Sequence, residues 1–217
     1  MWILPFMAAL VSGFYSGVVI RLRSPGSGAS LIWWSIALLG LAVASACLFI
    51  GSLSGWTSFI ARTYYLFGTV TLVAFFSVGI TYLLAPRPVA HMWALLVVVV
   101  AVLAAIILAG ADVDRDAFAV AGEPGWKAID RSELLMGLTT AMGNLGILVL
   151  ITAAVFAYVY RRFALAAGLI AAGSLILFYG GNIIAALGGY EYVSLGYLLG
   201  STIIVAGVMM TVGDGNG

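Results

Sequence analysis

Residues 92–110 read MWALLVVVVAVLAAIILAG, a run without a charged side chain. A helix that crosses the hydrocarbon core of a bilayer needs about 20 apolar residues, and this run has that length. Its apolar residues are continuous, whereas a strand of a membrane β-barrel alternates apolar with polar residues. A helix also satisfies its backbone hydrogen bonds internally, as lipid requires. The run therefore predicts a transmembrane helix.

The composition extends this prediction to the whole chain. Of 217 residues, 64% are hydrophobic and 8% are charged, and the mean hydropathy is +1.20. Soluble domains are about half apolar and about a quarter charged, so this composition excludes a water-soluble fold. The net charge of +1 gives no reason to expect a nucleic-acid partner. Cys47 is the single cysteine, so no intramolecular disulfide is expected.

Further apolar segments of similar length recur along the chain, separated by Pro, Gly and Ser. Together they predict an all-α membrane protein: a single polytopic domain, 1–217, folded as a seven-transmembrane-helix bundle. One loop, 111–133, is longer than the others. The predicted helices are about 3–20, 31–51, 64–85, 92–110, 134–160, 163–187 and 193–212.

The charged residues predict the orientation of these helices. In a seven-span layout, seven of the eight acidic residues lie on the side of the 111–133 loop. Basic residues predominate on the opposite side, and cytoplasmic loops are enriched in them. We therefore expect the N-terminus outside, the C-terminus in the cytoplasm, and a multi-pass location in the cytoplasmic (inner) membrane of a bacterium. The basic residues concerned are Arg21, Arg23, Arg87, Arg161 and Arg162.

Tryptophans and small residues predict how the helices meet lipid and one another. Trp34 and Trp126 are expected at the two membrane interfaces, where aromatic rings concentrate. The apolar 92–110 helix is expected at the periphery of the bundle, facing lipid. Small residues four apart predict close helix packing in other spans. Examples are Ser12/Ser16, Gly40/Ala44, Gly168/Ala172 and Gly196/Gly200.

Polar residues near the outer side form a candidate ligand site. Arg62 opens the predicted third span, and Asn144 lies about 15 Å into the fifth, near mid-membrane. With neighbouring tyrosines, these residues predict an outward-facing pocket containing one cation and one anion. The alternative is that they hydrogen-bond between helices or pair with each other. The candidate residues are Arg62, Tyr64, Tyr65, Asn144, Tyr179, Asn182 and Glu191.

The 111–133 loop carries the acidic spacing of a calcium-binding EF-hand loop at Asp112, Asp114, Asp116 and Glu123. The sixth position is Ala117, where that loop requires glycine for its turn. A solvated acidic loop is therefore favoured over a metal site. Its last residues predict a capping box, with Asp130 as the N-cap of the fifth helix and Glu133 in its first turn.

The stretches RTYYLFG at 62–68 and TYLLAP at 81–86 resemble sequences in a family of bacterial seven-helix integral membrane proteins. The resemblance extends more loosely over the third to seventh spans. It implies a heptahelical fold and no particular activity. It also supports treating Arg62, Tyr64 and Tyr65 as a unit.

The functional prediction follows from what the spans lack. No charged residue lies mid-span and no catalytic constellation is evident, which favours a non-enzymatic membrane component. Its expected role is an accessory or docking subunit, with another membrane protein or a second copy of the chain as partner. The alternative is a binding or transport protein for a small or lipid-like molecule in the outward-facing pocket. A cofactor or pigment carrier is a further alternative, disfavoured because His91 is the only histidine, and no cofactor is predicted.

Overall fold

The computed structural model describes residues 3–22, 28–114, 116–119, 125–161, 163–180 and 192–213. These residues form helices, with one isolated bridge between Val113 and Ile129 as their only β pairing. Six helices are long and apolar enough to span a membrane, and a shorter apolar helix covers Ala164–Tyr179. The helices are α1 (Ile3–Arg21), α2 (Gly28–Ser54), α3 (Ser58–Leu84), α4 (Arg87–Gly110), α5 (Glu133–Val159), α6 (Ala164–Leu175) and α7 (Val193–Gly213).

Two stretches depart from α-helical geometry. Residues Tyr65–Val70 within α3 and Ile176–Gly180 after α6 are π-helical. The predicted sixth span therefore changes geometry at Ile176, and its last residues, 181–187, lie outside the described ones. The all-helical prediction is confirmed for the described residues.

The third helix begins earlier than the sequence predicts. Thr57 is its N-cap, and the Thr57 hydroxyl accepts a hydrogen bond from the Ile60 amide at 3.3 Å. This cap lets the helix begin at Ser58. Arg62 therefore lies in the second turn of α3, and the prediction that it opens the span is wrong.

Successive helices run up and down, so the connections lie at two ends. We call the end with residues 111–132 the loop end and the opposite end the arginine end. The arginine end carries Arg21, Arg87 and Arg161. Arg23, Arg162 and Asp214 lie outside the described residues.

Helices α6 and α7 approach closely at glycines. A Cβ atom built on Gly173 would lie 2.7 Å from the carbonyl oxygen of Gly200, and one on Gly207 would lie 2.7 Å from that of Ala166. The sequence correctly predicts Gly200 as a packing residue. Gly168, predicted as another, has no atom within 4 Å of a built Cβ. Close approach in this pair therefore depends on Gly173, Gly200 and Gly207.

Serines join α1 to α2 by a reciprocal pair of hydrogen bonds. The Ser16 hydroxyl donates to the Ser35 carbonyl at 2.8 Å, and the Ser35 hydroxyl donates to the Ser16 carbonyl at 3.2 Å. Both serines are buried. The predicted packing role of Ser16 is confirmed, and the two bonds fix the register of these helices.

The interfacial position predicted for Trp34 is wrong. Its side chain is fully buried, and its indole N–H donates to the Phe76 carbonyl at 3.3 Å. Gly79 makes this possible, because a side chain there would occupy the space that the indole ring fills. A small residue on α3 thus admits the large one from α2 into the core.

The peripheral position predicted for the fourth span is confirmed. Its buried residues form a single stripe at helical spacing, and large apolar side chains such as Met92 and Leu95 are exposed. In a bilayer, this outer surface of α4 would face lipid. The buried stripe is Ala90, Ala94, Val97, Val100, Ala104 and Leu108.

The N-cap predicted for the fifth helix, Asp130, is wrong by two residues. The N-cap is Ser132, whose hydroxyl accepts a hydrogen bond from the Leu135 amide at 3.2 Å. Asp130 is held elsewhere, because its amide donates to the Asp112 carbonyl at 2.9 Å beside the Val113–Ile129 bridge. Glu133 is then the first residue of α5.

The Gly200→Ala variant tests the α6–α7 contact. Its Cβ would lie 2.8 Å from the Gly173 carbonyl oxygen, which as backbone has little room to move. We expect a loss of about 1–3 kcal/mol in unfolding free energy, as for other overpacked interiors, measured by denaturation in mild detergent. Gly168→Ala is the matched control and should lose no stability. Equal losses in both variants would contradict the assigned contact.

Candidate functional site

A cavity of about 330 Å³ lies at the loop end, between α3, α5, α6, α7 and the turn at Gly125–Ala128. Its volume is within the usual range of small-molecule sites, about 300–1,000 Å³. The polar and charged lining residues are Tyr64, Tyr65, Thr69, Trp126, Arg131, Thr139, Thr140 and Tyr197. The remaining lining residues are Gly68, Leu72, Val73, Met136, Leu177, Phe178 and Val193.

Both π-helical stretches face this cavity. Tyr65, Gly68 and Thr69 come from the first, and Leu177 and Phe178 come from the second. A π-helical turn widens the helix and redirects its side chains, and such turns are frequent at functional sites. Here two of them, from separate helices, contribute to one site.

A pair of tyrosine hydroxyls joins α3 to α7 in the cavity wall. The hydroxyl oxygens of Tyr64 and Tyr197 are 2.8 Å apart, and both side chains are buried. One hydroxyl donates this hydrogen bond, so the other retains a proton and can donate to a bound molecule. Gly68 lies beside the pair, since a Cβ built there would be 3.3 Å from the Tyr197 hydroxyl.

Aromatic rings close the cavity towards the loop. The Trp126 ring stacks on Tyr64 with centroids 4.7 Å apart and planes at 20°. Trp56 meets both rings edge-on, at 6.1 Å from Tyr64 and 6.3 Å from Trp126. Trp126 was expected to anchor the loop in the headgroup layer, but the structure places it, half-buried, against α3. It thereby fixes the Gly125–Ala128 turn to the helices.

Arg62 lies outside the cavity lining. Its Nη2 atom donates to the Ala111 carbonyl at 2.6 Å, and Ala111 is the C-cap of α4. A cation is favourable at a helix C-terminus, where carbonyl groups lack partners. The predicted unit of Arg62, Tyr64 and Tyr65 is therefore divided: the tyrosines line the cavity, and the arginine ties α3 to the end of α4.

The other predicted site residues are dispersed. Asn144 is exposed on α5, one helical turn beyond the cavity residue Thr140. Tyr179 is 44% exposed and meets Phe178 edge-on at 5.0 Å. Asn182 and Glu191 lie outside the described residues. The structure thus brings only Tyr64 and Tyr65, of the predicted residues it describes, into the cavity wall.

Sequence reasoning missed Tyr197, because its partner Tyr64 was placed at the wrong depth. Tyr197 is four residues into α7 and Tyr64 is six residues into α3, counted from the first residue of each helix. At a rise of about 1.5 Å per residue, the two hydroxyl groups enter the bundle at similar depths. With the third span predicted to begin at 64, Tyr64 was placed at its first residue, so the match became visible only once the structure showed α3 beginning at Ser58.

The acidic loop shows no metal site within its described part. The described residues of the chain contain no group of three or more metal-ligating side chains, and Glu123 is not among them. Asp114 instead accepts a hydrogen bond from the Asp116 amide at 3.0 Å, an arrangement of a local turn. His91, at the arginine end, hydrogen-bonds through Nδ1 to the Arg87 carbonyl at 2.6 Å and packs edge-on against Tyr82.

Comparison with protein-family models, with curated proteins and with solved structures finds no match to this chain. The functional interpretation therefore depends on the geometry of the cavity and of the helix faces around it.

The Tyr197→Phe variant tests the hydroxyl pair. It leaves the buried Tyr64 hydroxyl without its partner, which costs about 1–3 kcal/mol of unfolding free energy. Tyr15→Phe is the control, because the Tyr15 hydroxyl makes only a long, exposed contact of 3.5 Å with Thr202. We expect denaturation in mild detergent to show a clear loss for Tyr197→Phe and a change below about 0.5 kcal/mol for Tyr15→Phe. Similar values for the two variants would contradict a structural role for the pair.

Proposed function

We propose that this chain is a multi-pass membrane protein that binds a small amphiphilic molecule in the loop-end cavity. The observation that carries the proposal is the convergence of two π-helical stretches and a buried tyrosine pair on one cavity of about 330 Å³. Neither π-helical stretch is needed to build an apolar helix bundle. Together they shape a space that a ligand can fill.

The lining favours a molecule with an apolar body and a hydrogen-bonding end. Leu72, Val73 and Leu177 supply apolar surface. The Tyr64–Tyr197 pair supplies a buried donor for the polar end. Exposed lining residues on the α5 side, Met136 and Thr140 among them, mark the mouth of the cavity. A ligand could therefore enter beside α5.

The charge distribution supports a location for this cavity. The loop end carries Asp112, Asp114, Asp116, Asp130 and Glu133 together with the bases Arg62, Lys127 and Arg131, whereas the charged residues described at the other end are all arginines. Under the positive-inside rule, the arginine end would face the cytoplasm. We infer that the cavity opens in the outer half of the cytoplasmic membrane, with the N-terminus outside and the C-terminus inside.

A filling variant, Thr140→Trp, tests the binding role. The protein would be purified in mild detergent, and bound molecules would be detected by native mass spectrometry and identified after organic extraction. We expect wild-type protein to carry a bound molecule and Thr140→Trp to retain at most about a tenth of it, which requires an affinity at least about tenfold weaker. The larger ring would occupy the mouth of the cavity.

Leu145→Trp is the matched control for this experiment. It introduces the same ring on an exposed position of α5, outside the residues that line the cavity. Its occupancy should equal that of the wild-type protein. An empty wild-type protein, or equal occupancy in Thr140→Trp, would overturn the binding proposal.

A second candidate function, docking of another membrane helix, is favoured by the position of Asn144. This residue is exposed near the middle of α5, where an unpaired carboxamide in hydrocarbon is costly. Gly137 and Ala141 are exposed nearby and would let a second helix approach closely. Because a carboxamide both donates and accepts, two copies of Asn144 can pair across a two-fold axis. A second copy of this chain is therefore the partner we propose.

The Asn144→Leu variant tests docking separately from ligand binding. We expect the dimerisation constant in detergent to weaken about tenfold, as for the loss of hydrogen bonds between membrane helices. Analytical ultracentrifugation or energy transfer between labelled copies would measure it. Asn144→Gln keeps the carboxamide and should restore dimerisation at least in part, and ligand content should not change in either variant. A wild-type chain that stays monomeric at every concentration would exclude the homodimer.

A further inference from the structure

A second recess, independent of the loop-end cavity, lies between α3 and α5 at the arginine end. Its volume is about 410 Å³, and it is lined almost wholly by apolar atoms. We propose that this groove binds one acyl chain of an anionic phospholipid, whose head group is held by nearby arginines. The main apolar lining residues are Ile80, Leu84, Pro86, Leu148, Ala153 and Phe156.

The groove offers its occupant apolar contact and little else. The hydroxyl of Thr81, which lines it, already donates to the Ser77 carbonyl of its own helix at 2.6 Å. Because α3 and α5 are both long enough to span a membrane, the groove would open to the hydrocarbon of a bilayer. An acyl chain matches both the apolar lining and these surroundings.

Two arginines border the arginine end of the groove. Arg87 directly follows the lining residue Pro86, so their Cα atoms are about 3.8 Å apart. Arg161 is five residues beyond Phe156 and two beyond Val159, the last residue of α5. Both arginine side chains are exposed. They are thus placed to meet a head group whose acyl chain lies in the groove.

The charged residues that the structure describes at this end are all arginines. Among the described residues, the aspartates and glutamates all belong to the loop end, so Arg87 and Arg161 lie at the opposite end of the bundle from these carboxylates. Arginine binds phosphate oxygens through charge-assisted hydrogen bonds. Each basic residue near a membrane surface also adds attraction to anionic lipids, which are enriched in the cytoplasmic leaflet. This charge complementarity favours an anionic over a zwitterionic phospholipid.

The backbone holds both arginines in defined positions. Arg87 lies between two prolines, Pro86 and Pro88, at the first turn of α4. Arg161 has a φ of 51° and its amide donates to the Tyr158 carbonyl at 3.2 Å, a left-handed turn that ends α5. With the backbone at both positions already fixed, only side-chain freedom is lost when these cations bind a head group. These turns therefore suit a lipid site better than a flexible basic tail would.

The test is native mass spectrometry of the full chain titrated with palmitoyl-oleoyl phosphatidylglycerol or with phosphatidylcholine of the same chains. We expect the wild-type protein to bind phosphatidylglycerol more tightly. Arg87→Gln and Arg161→Gln should each weaken that binding about fivefold and leave phosphatidylcholine binding unchanged. Arg21→Gln is the matched control, because α1 packs against α2 and α7 and not along this groove.

A second pair of variants tests the apolar part of the site. Thr152→Phe fills the groove from an exposed position on α5 and should weaken binding of both lipids. Ile151→Phe, an exposed neighbour outside the groove, should weaken neither. Equal affinity of the wild-type protein for the two lipids would overturn the proposal, and so would equal losses in the Arg21 and Arg87 variants. Unchanged binding in Thr152→Phe would also overturn it, because the acyl chain would then not lie in the groove.

Discussion

The structure depends on close approach between helices at small residues. In lipid, apolar side chains gain little by leaving one hydrocarbon environment for another, so helices associate through tight packing and hydrogen bonds. Gly173 and Gly200 provide such packing between α6 and α7. Directly after this contact α6 becomes π-helical, and Leu177 from that stretch packs against Gly200. The close helix pair thus determines where the π-helical residues, and with them the cavity wall, are placed.

Hydroxyl groups show where the bundle uses polar contacts to fix its geometry. The hydroxyls of Thr81, Thr139 and Ser174 donate to carbonyls of their own helices. These hydrogen bonds satisfy the hydroxyls but do not connect one helix to another. The Tyr64–Tyr197 pair is different, because it crosses from α3 to α7. A polar contact between helices has few alternatives in an apolar interior, so it specifies one arrangement. The cavity lies beside this contact, which is consistent with a site that needs a defined shape.

The sequence was informative where the evidence lay within one segment. A continuous apolar run predicts a helix, and its lack of polar residues correctly predicts the peripheral position of α4. Predictions from the sequence failed for side chains whose position is set by a contact with a residue far away in the chain. Trp34 is buried because Gly79 makes room on another helix, and Trp126 stacks on Tyr64, far away in the chain. The prediction for Arg62 failed for a local reason. The sequence reading did not recognise Thr57 as an N-cap, so it placed the start of α3 too late in the chain.

Helix α5 connects the proposed sites because successive residues along it face different surroundings. Adjacent residues of a helix are about 100° apart around its axis, since a turn holds about 3.6 residues. Thr139 is buried while bordering the cavity, Thr140 lies at the cavity mouth, and Ala141 faces away from the bundle. A ligand beside Thr140 and a second chain paired at Asn144 would therefore contact the same helix one turn apart. Substitutions on α5 can separate these roles because Thr140 and Asn144 lie one turn apart along the same face of the helix, whereas a substitution in the α6–α7 contact would disturb the cavity through its wall.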